Sequence, residues 1–403
     1  MKCVHLSTTS GGGAGRAASR LVKALRVEGV DATLVTSADA ARPVGQVVQV
    51  FRSASGILAR GIMGEGFRSH PAIGLQSPAL LPSNWPKWVN DSSSDLVHLH
   101  WINDEMLSIS DIGKMRKPLV WTMHDMWPIG GAAHFFGNDD GQVWKPHNRF
   151  DRWVWERKKR HWQNPMHLVA PSEWLAGLAR SGSLTKHQPI TVIPNPIDTE
   201  VWQAIERNKA LETLGLSQSQ RYIVFGASGS VFDQRKGFDL MDQALRQLQF
   251  ESLLHDVVVV VLGGSESNGL PQTDLPVHFA GKIQNDELLN LYYSACDVAV
   301  IPSRLDNLPN VAIEALACGT PVVAFDVGGL RDVVDHQHTG YLARSESVED
   351  LAKGISWVLG LRGEERIKMG LQGREYVAKY CNPQRVAKAY TDVYCNALER
   401  ASR

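Results

Sequence analysis

The sequence has no excess of either charge. Its 403 residues carry 42 Lys and Arg against 42 Asp and Glu, a formal net charge of zero. A dedicated nucleic-acid binder usually carries a strong basic excess, and a chain held open by self-repulsion carries an excess of one sign. Neither description fits, and no nucleic-acid partner is expected. No apolar run approaches the roughly 18 residues that cross a bilayer. The start, Met1-Lys2-Cys3-Val4-His5-Leu6, leads straight into a glycine-rich turn and shows no signal-peptide pattern. Cysteine is scarce: Cys3, Cys296, Cys318, Cys381 and Cys395 form no Cys-x-x-Cys pair, and their total is odd. That excludes a disulfide framework. It suits a reducing, cytoplasmic setting and leaves small apolar packing as the expected role of the thiols.

What is present reads as a two-domain α/β chain. At roughly 150 residues per domain the length suggests two or three domains. Short apolar runs alternate with amphipathic stretches, the pattern of a parallel sheet covered on both faces. Lys2–Leu6, Ala32–Thr36, Val47–Phe51, Leu96–His100, Leu119–Met123, His167–Ala170 and Thr191–Ile193 are expected strands. Ala14–Glu28 is an expected helix, with Ala17, Leu21, Ala24 and Leu25 on one face. Residues 53–90, rich in Gly, Ser and Pro, read as a long loop. Pro194-Asn195-Pro196 breaks the pattern, and a second alternation then begins. Its strands are Tyr222–Phe225, Asp256–Leu262, Val298–Ile301 and Val322–Phe325. Its helices are Phe238–Leu248, Asp286–Ala295, Ala312–Ala317 and Val348–Leu359. The expected domains are therefore 1–196 and 197–383, with a last helix over about 384–403 that can pack back on the first.

The two halves differ. Residues 1–200 hold 22 basic and 17 acidic side chains, and 11 of the 12 Trp lie between Trp85 and Trp202. Ligands of such folds collect at the C-terminal ends of strands, and four motifs fall there. Gly11-Gly12-Gly13-Ala14-Gly15 follows the first strand and opens a helix, so its backbone can approach a phosphate or a sugar closely. It also matches a loose dinucleotide fingerprint, but Thr36 stands where the nicotinamide reading needs an acid; a tight structural turn is the plainer alternative. His98-Leu99-His100-Trp101 and His124-Asp125-Met126-Trp127-Pro128 end two strands. His98 and His100 point the same way, no third metal ligand stands at a diagnostic spacing, and His124 with Asp125 reads as an oriented polar pair or as hydrogen-bonded structure. Gln234-Arg235-Lys236-Gly237 puts two cations before a helix, an arrangement that suits a diphosphate or a solvated surface. Finally, Asp306-Asn307-Leu308 precedes a helix carrying Glu314. These carboxylates can accept hydrogen bonds from vicinal hydroxyls, or act as a cap and a solvated helix residue.

Asp306-x7-Glu314, followed by Ala317-Cys318-Gly319-Thr320-Pro321, resembles the E-x7-E signature of glycosyltransferase family 4. The glycine turn, Thr122-Met123-His124-Asp125, Ala170-Pro171-Ser172, Ile193-Pro194-Asn195-Pro196-Ile197-Asp198, Arg235-Lys236-Gly237 and Gly328-Gly329 fall in the family's order. The His124–Pro128 run is most similar to bacterial members that build exopolysaccharide or lipopolysaccharide. The resemblance implies a GT-B fold, two Rossmann-like parallel-sheet domains facing each other across a cleft. The first domain binds the acceptor and the second the nucleotide-sugar donor. It implies transfer of a hexose-type sugar, with retention of configuration and without a metal or other cofactor, to a hydroxyl of a glycan or lipid-linked glycan. Lys236 would contact the diphosphate. Asp306 would contact the donor sugar, with the Asn307 and Leu308 N–H groups nearby. Glu314 would hold the ribose, His124 would sit beside the reacting centre, and the loop of Gly12, Gly13 and Gly15 would lie near the donor or acceptor. Ser230 occupies the place of the family's usual Arg, and Arg235 is the candidate substitute. The absence of any Asp-x-Asp, the metal-holding pair of other sugar transferases, agrees with metal-free chemistry.

Two alternatives to transfer are a nucleotide-sugar 2-epimerase on the same fold and a non-catalytic sugar-binding module. The segment Arg149–Trp162 interleaves six Lys and Arg with three Trp. It reads as a helix lying on anionic lipid at the inner face of the plasma membrane, or as an ordinary helix with buried Trp.

Overall fold

The computed structural model describes residues 1–38, 75–136, 144–226, 233–251, 254, 256–263 and 275–402. The strand expected at Val47–Phe51, residues 53–74 of the expected loop, and Ser230 lie outside them. The chain divides into two units, Met1–Pro196 with Pro383–Arg403, and Ile197–Asn382.

The first unit is built on a six-stranded sheet: β1 Lys2–Ser7, β2 Asp31–Thr36, β3 Leu96–Leu99, β4 Leu119–Thr122, β5 Met166–Ala170 and β6 Ile190–Val192. Their order is β2-β1-β3-β4-β5-β6, and every pairing is parallel. Parallel strands need crossover segments that cover the sheet, and the central β3, β4 and β5 are buried along their whole length, whereas the edge strand β2 keeps exposed positions. The C-terminal helix Pro383–Ala401 belongs to this unit. Its Val386, Ala387, Tyr390, Val393, Tyr394 and Ala397 share a core with Leu21 and Leu25 of the Gly12–Val27 helix, and with Val120 and Val169. A fully buried aliphatic side chain stabilises by about 1.5–3 kcal/mol, so this stripe ties the chain's end firmly to its beginning.

The second unit repeats the plan with β7 Arg221–Gly226, β8 Val257–Leu262, β9 Val277–Gly281, β10 Val298–Ile301, β11 Val322–Phe325 and β12 Gly340–Ala343. The order is β12-β11-β10-β7-β8-β9, again all parallel. The Val257–Val261 run is buried throughout, as a central parallel strand requires. β9 and β12 were not among the expected strands. His278 interrupts the apolar run of the first, and Gly340 opens the second.

Four cysteines are buried and Cys395 is exposed, so the packing role expected of the thiols holds for four of the five.

Two glycines position the loops that follow β7 and β10. Gly237 has φ +66°, and a Cβ on it would collide with the Pro302 carbonyl; Gly328 has φ +56°, and a Cβ there would collide with the Asp306 carbonyl. Both demand a left-handed backbone and close approach at once. Gly237→Ala is expected to lower the stability of this unit by about 2–4 kcal/mol, combining left-handed strain with overpacking. Urea unfolding of the variant checks it.

Candidate active site

In the second unit the Gln234–Lys236 turn follows β7, and the Ser303–Pro309 loop follows β10. These strands are neighbours in the sheet, so the two segments meet at its C-terminal edge. Lys236 Nζ donates to Asp306 Oδ2 at 2.6 Å, and Arg235 Nη1 lies 3.3 Å from the same oxygen. Arg235 also donates to the Leu305 carbonyl at 3.2 Å and pairs with Asp233 at 3.0 Å. Asp306 is buried, which pushes its pKa up. The Lys236 and Arg235 cations and the Asn307 N–H outweigh that and hold the carboxyl below its ordinary value. It is ionised at neutral pH.

The structure brings Arg235, Lys236, Asp306 and Asn307 together. The Asn307 N–H donates to Asp306 Oδ1 at 3.0 Å. The side chain of Leu308 is buried. Glu314 lies in the Asn310–Ala317 helix, buried, with the Tyr293 hydroxyl donating to it at 3.4 Å. Arg304 had no expected role. It donates to the Gln234 carbonyl and to Asp239, pairs with Glu346, and its N–H donates to the Arg235 carbonyl at 2.8 Å. It clamps the β10 loop to the Lys236 turn. The only hint in the sequence was its place two residues before Asp306.

In the first unit the glycine turn follows β1. Gly12 has φ +66° and, with Gly13, is exposed. Gly15 is buried against the backbone of Thr9 and Ser10, too close to admit a Cβ. His124 follows β4, and the expected His124–Asp125 pair is not formed by hydrogen bonding. The Asp125 carboxylate takes His134 Nδ1 at 2.5 Å, the Trp101 indole N–H at 3.0 Å and the Trp127 N–H at 2.9 Å. His124 Nε2 instead faces His100 Nδ1 at 3.1 Å.

His100 leads to a third histidine that spacing did not suggest. β1 and β3 pair in register at His5 and His98, so His5, His98 and His100 share one face of the sheet. Their ligand-capable nitrogens lie within 4.8 Å of one another. All three are buried. Burial disfavours the imidazolium and holds His98 and His100 well below the ordinary 6.5, His5 at about 3 and His124 at about 4.

The basic Trp-rich segment is a helix, Arg149–His161. Its Lys158 is fully buried, donating to the carbonyls of Trp127, Gly130 and Gly131 and lying 3.7 Å above the Trp127 ring. One of the six cations is therefore part of the core. Arg149, Arg152, Trp153, Lys159 and Arg160 are exposed. Among the described residues no helix is long and apolar enough to cross a membrane.

The family model for Glycosyltransferase Family 4 matches residues 11–201, and that for Glycosyl transferases group 1 matches residues 222–360. D-inositol 3-phosphate glycosyltransferase from Saccharomonospora viridis is 32% identical over 323 residues, covering 75% of this chain and 70% of that protein. The chain belongs to glycosyltransferase family 4. Matches to other proteins of the same name span between 52% and 84% of their lengths. The fold is shared with sucrose-phosphate synthase from Thermosynechococcus elongatus (TM-score 0.70, 21% identity, 99% of this chain and 100% of that one). It is shared equally with Anabaena HepE, whose structure holds UDP-glucose (TM-score 0.69, 16% identity, 98% and 100%). With its two parallel-sheet units, this glycosyltransferase has the GT-B fold.

The buried histidines of this family 4 member make it acid-sensitive. Unfolded histidine takes a proton near 6.5, whereas folded His5 does so only near 3 and His124 near 4. Between those limits the unfolded chain binds more protons, so stability is full above 6.5 and falls as pH drops toward 4. His5 alone removes about 2 kcal/mol by about pH 5. Melting curves from neutral pH downward are expected to show a steady fall, and a flat melting temperature across this window contradicts the assignment.

Proposed function

We propose that this glycosyltransferase is a retaining, metal-independent hexosyltransferase. It moves a hexose from a nucleotide-diphosphate sugar to a hydroxyl of a glycan or lipid-linked glycan in bacterial surface polysaccharide synthesis. The observation that carries this reading is the Asp306 carboxylate held between Lys236 and Arg235 at the C-terminal edge of β7 and β10. The second unit takes the donor and the first the acceptor. Lys236 and Arg235 neutralise the diphosphate, Asp306 and Glu314 accept hydrogen bonds from sugar and ribose hydroxyls, and His124 lies beside the reacting carbon. HepE's UDP-glucose supports a nucleotide-sugar donor. The His124–Pro128 run supports the polysaccharide role.

In the reaction the bond from the anomeric carbon to the diphosphate oxygen breaks. The acceptor oxygen bonds to that carbon from the same face, and the acceptor's proton passes to the departing diphosphate. Fixed cations that meet charge as it develops on the leaving group are electrostatic catalysis. Among the described residues Lys236 and Arg235 pair with Asp306 and Asp233. A diphosphate competes with Asp306 for the Lys236 cation, and to the extent that it draws Lys236 away it frees that carboxylate for the sugar.

Lys236→Ala and Glu314→Ala are each expected to lower kcat/KM by about 100-fold or more with folding retained. The donor is first identified by thermal shift against UDP-, GDP-, ADP- and TDP-sugars. Wild-type turnover in either variant removes the assigned roles. Epimerisation of the donor without acceptor would instead favour a 2-epimerase.

Peripheral membrane contact through Arg149, Arg152, Trp153, Lys159 and Arg160 accompanies this reading. These exposed side chains combine cations with an aromatic ring on one helix, the composition of an interfacial segment. Replacing the four cations by Gln is expected to abolish flotation with phosphatidylglycerol vesicles. If the wild-type protein does not float, this part is withdrawn.

A further inference from the structure

Three segments of the second unit converge on one side chain, Arg304, in the loop after β10. Its Nη1 donates to the Gln234 carbonyl at 2.6 Å, in the turn after β7. Nη1 and Nη2 donate to the two carboxylate oxygens of Asp239 at 2.8 and 2.6 Å, in the first turn of the Phe238–Phe250 helix. Nε donates to Glu346 at 3.1 Å, in the segment after β12. The Arg304 side chain is largely covered, at 16% exposed, while the Asp239 and Glu346 side chains that hold it are 54% and 56% exposed.

All three guanidinium nitrogens are therefore committed to the protein, and the single positive charge faces two carboxylates. Arg304 is not a further cation for a ligand. What it holds is backbone. The Gln234 carbonyl takes its Nη1, and the Arg235 carbonyl takes its main-chain N–H at 2.8 Å. These carbonyls belong to the two peptide groups that flank Arg235, and the second of them leads into Lys236. Peptide groups are planar, so anchoring two in succession constrains the backbone dihedrals between them and the direction in which the chain enters Lys236. The turn does little of this alone. Gln234–Lys236 is three residues long. It is closed by the Lys236 N–H on the Asp233 carbonyl at 2.8 Å and the Gly237 N–H on the Gln234 carbonyl at 3.1 Å. Tight helical turns of this kind have poorer hydrogen-bond geometry than an α-helix.

The geometry points to Arg304 as the positioning residue of Lys236: its fork holds the turn after β7 so that the Lys236 ammonium stands where the donor's diphosphate is seated. This rests on the reading above that Lys236 meets the diphosphate. Arg304 acts through the Gln234 and Arg235 carbonyls rather than by its charge, so a lysine in its place is a poor substitute. An ammonium is a point charge on a flexible stem and cannot grip Asp239 with two parallel bonds while reaching a carbonyl. The competing role is an ion pair that serves stability alone. Partly exposed pairs contribute little to stability, so the two roles separate: positioning predicts a large effect on the ligand with a small effect on melting.

The test is calorimetric titration of the full-length protein with UDP, GDP, ADP and TDP, taking the nucleotide that binds tightest. Arg304→Ala is expected to weaken binding about tenfold and Arg304→Lys about threefold, with melting temperatures lowered by about 4 °C or less. Asp239→Asn loosens the fork without altering the loop and is expected to weaken binding about threefold. In the Lys236→Ala background Arg304→Ala is expected to add less than about twofold, because a residue that acts through Lys236 then has nothing left to position. A folded Arg304→Ala protein with wild-type affinity overturns the proposal, and so does a loss of the same size in the Lys236→Ala background. If Arg304→Ala does not fold, Arg304→Lys and Asp239→Asn carry the same comparisons, and wild-type affinity in both overturns it. If Lys236→Ala alone binds the nucleotide like the wild type, the diphosphate reading of Lys236 fails instead. Hydrogen exchange then decides whether Arg304 holds the turn: the Lys236 and Gly237 amides are expected to exchange about tenfold faster in Arg304→Ala, and unchanged exchange overturns that hold.

Discussion

Lys236 and Asp306 meet at 2.6 Å although 70 residues separate them, and much of the second unit's loop structure exists to allow that meeting. β7 and β10 bring the two segments to one sheet edge. Gly237 lets the Lys236 turn pass against the Pro302 carbonyl, and Gly328 lets the following loop pass against Asp306. Arg304 ties the β10 loop back to the turn. A charge pair removed from water stabilises only when its remaining polar atoms are also satisfied. Here the Asn307 N–H takes the second Asp306 oxygen. The glycines and Arg304 therefore serve the ion pair rather than the core.

The first unit solves the opposite problem. Beside buried Lys158 and Asp125, it holds a set of neutral histidines and hydroxyls that hydrogen-bond one another. A satisfied network of this kind is high-stakes, since each unpaired member would carry the full desolvation penalty. This accounts for the path of the chain. The Pro383–Ala401 helix returns to the first unit with an apolar stripe that includes two tyrosines, and those hydroxyls bond His98, His5 and Thr122. Ordinary helix packing would bury Val386 and Val393 equally well without them.

Ten of the twelve described strands were legible because apolar runs with strand length and β-branched composition report burial directly. That Arg235, Lys236 and Asp306 lie in segments after strands was legible because each segment follows an apolar run of strand length. The rest depended on partners that local sequence does not encode. His5 joins His98 only through the register of β1 with β3, 93 residues later. Asp125 is adjacent to His124 in sequence but bonds His134, Trp101 and Trp127. Lys158 reads as one of a solvated run, yet three carbonyls and the Trp127 ring make it a core residue. Its burial holds its pKa well below the ordinary lysine value. In each case the residue type was visible and its partner was not.

The balance of charge that excluded a nucleic-acid binder also constrains the donor site. The described charges at this site, Lys236, Arg235, Asp233 and Asp306 itself, are paired with one another. The proposed donor therefore competes with Asp306 for the Lys236 cation. Seating a diphosphate on Lys236 would loosen its hold on the carboxylate proposed to meet the sugar. An Asp at this position holds that carboxylate within reach of the adjacent Asn307 N–H. A Glu, one methylene longer, would carry it away from the backbone and weaken the closed pair.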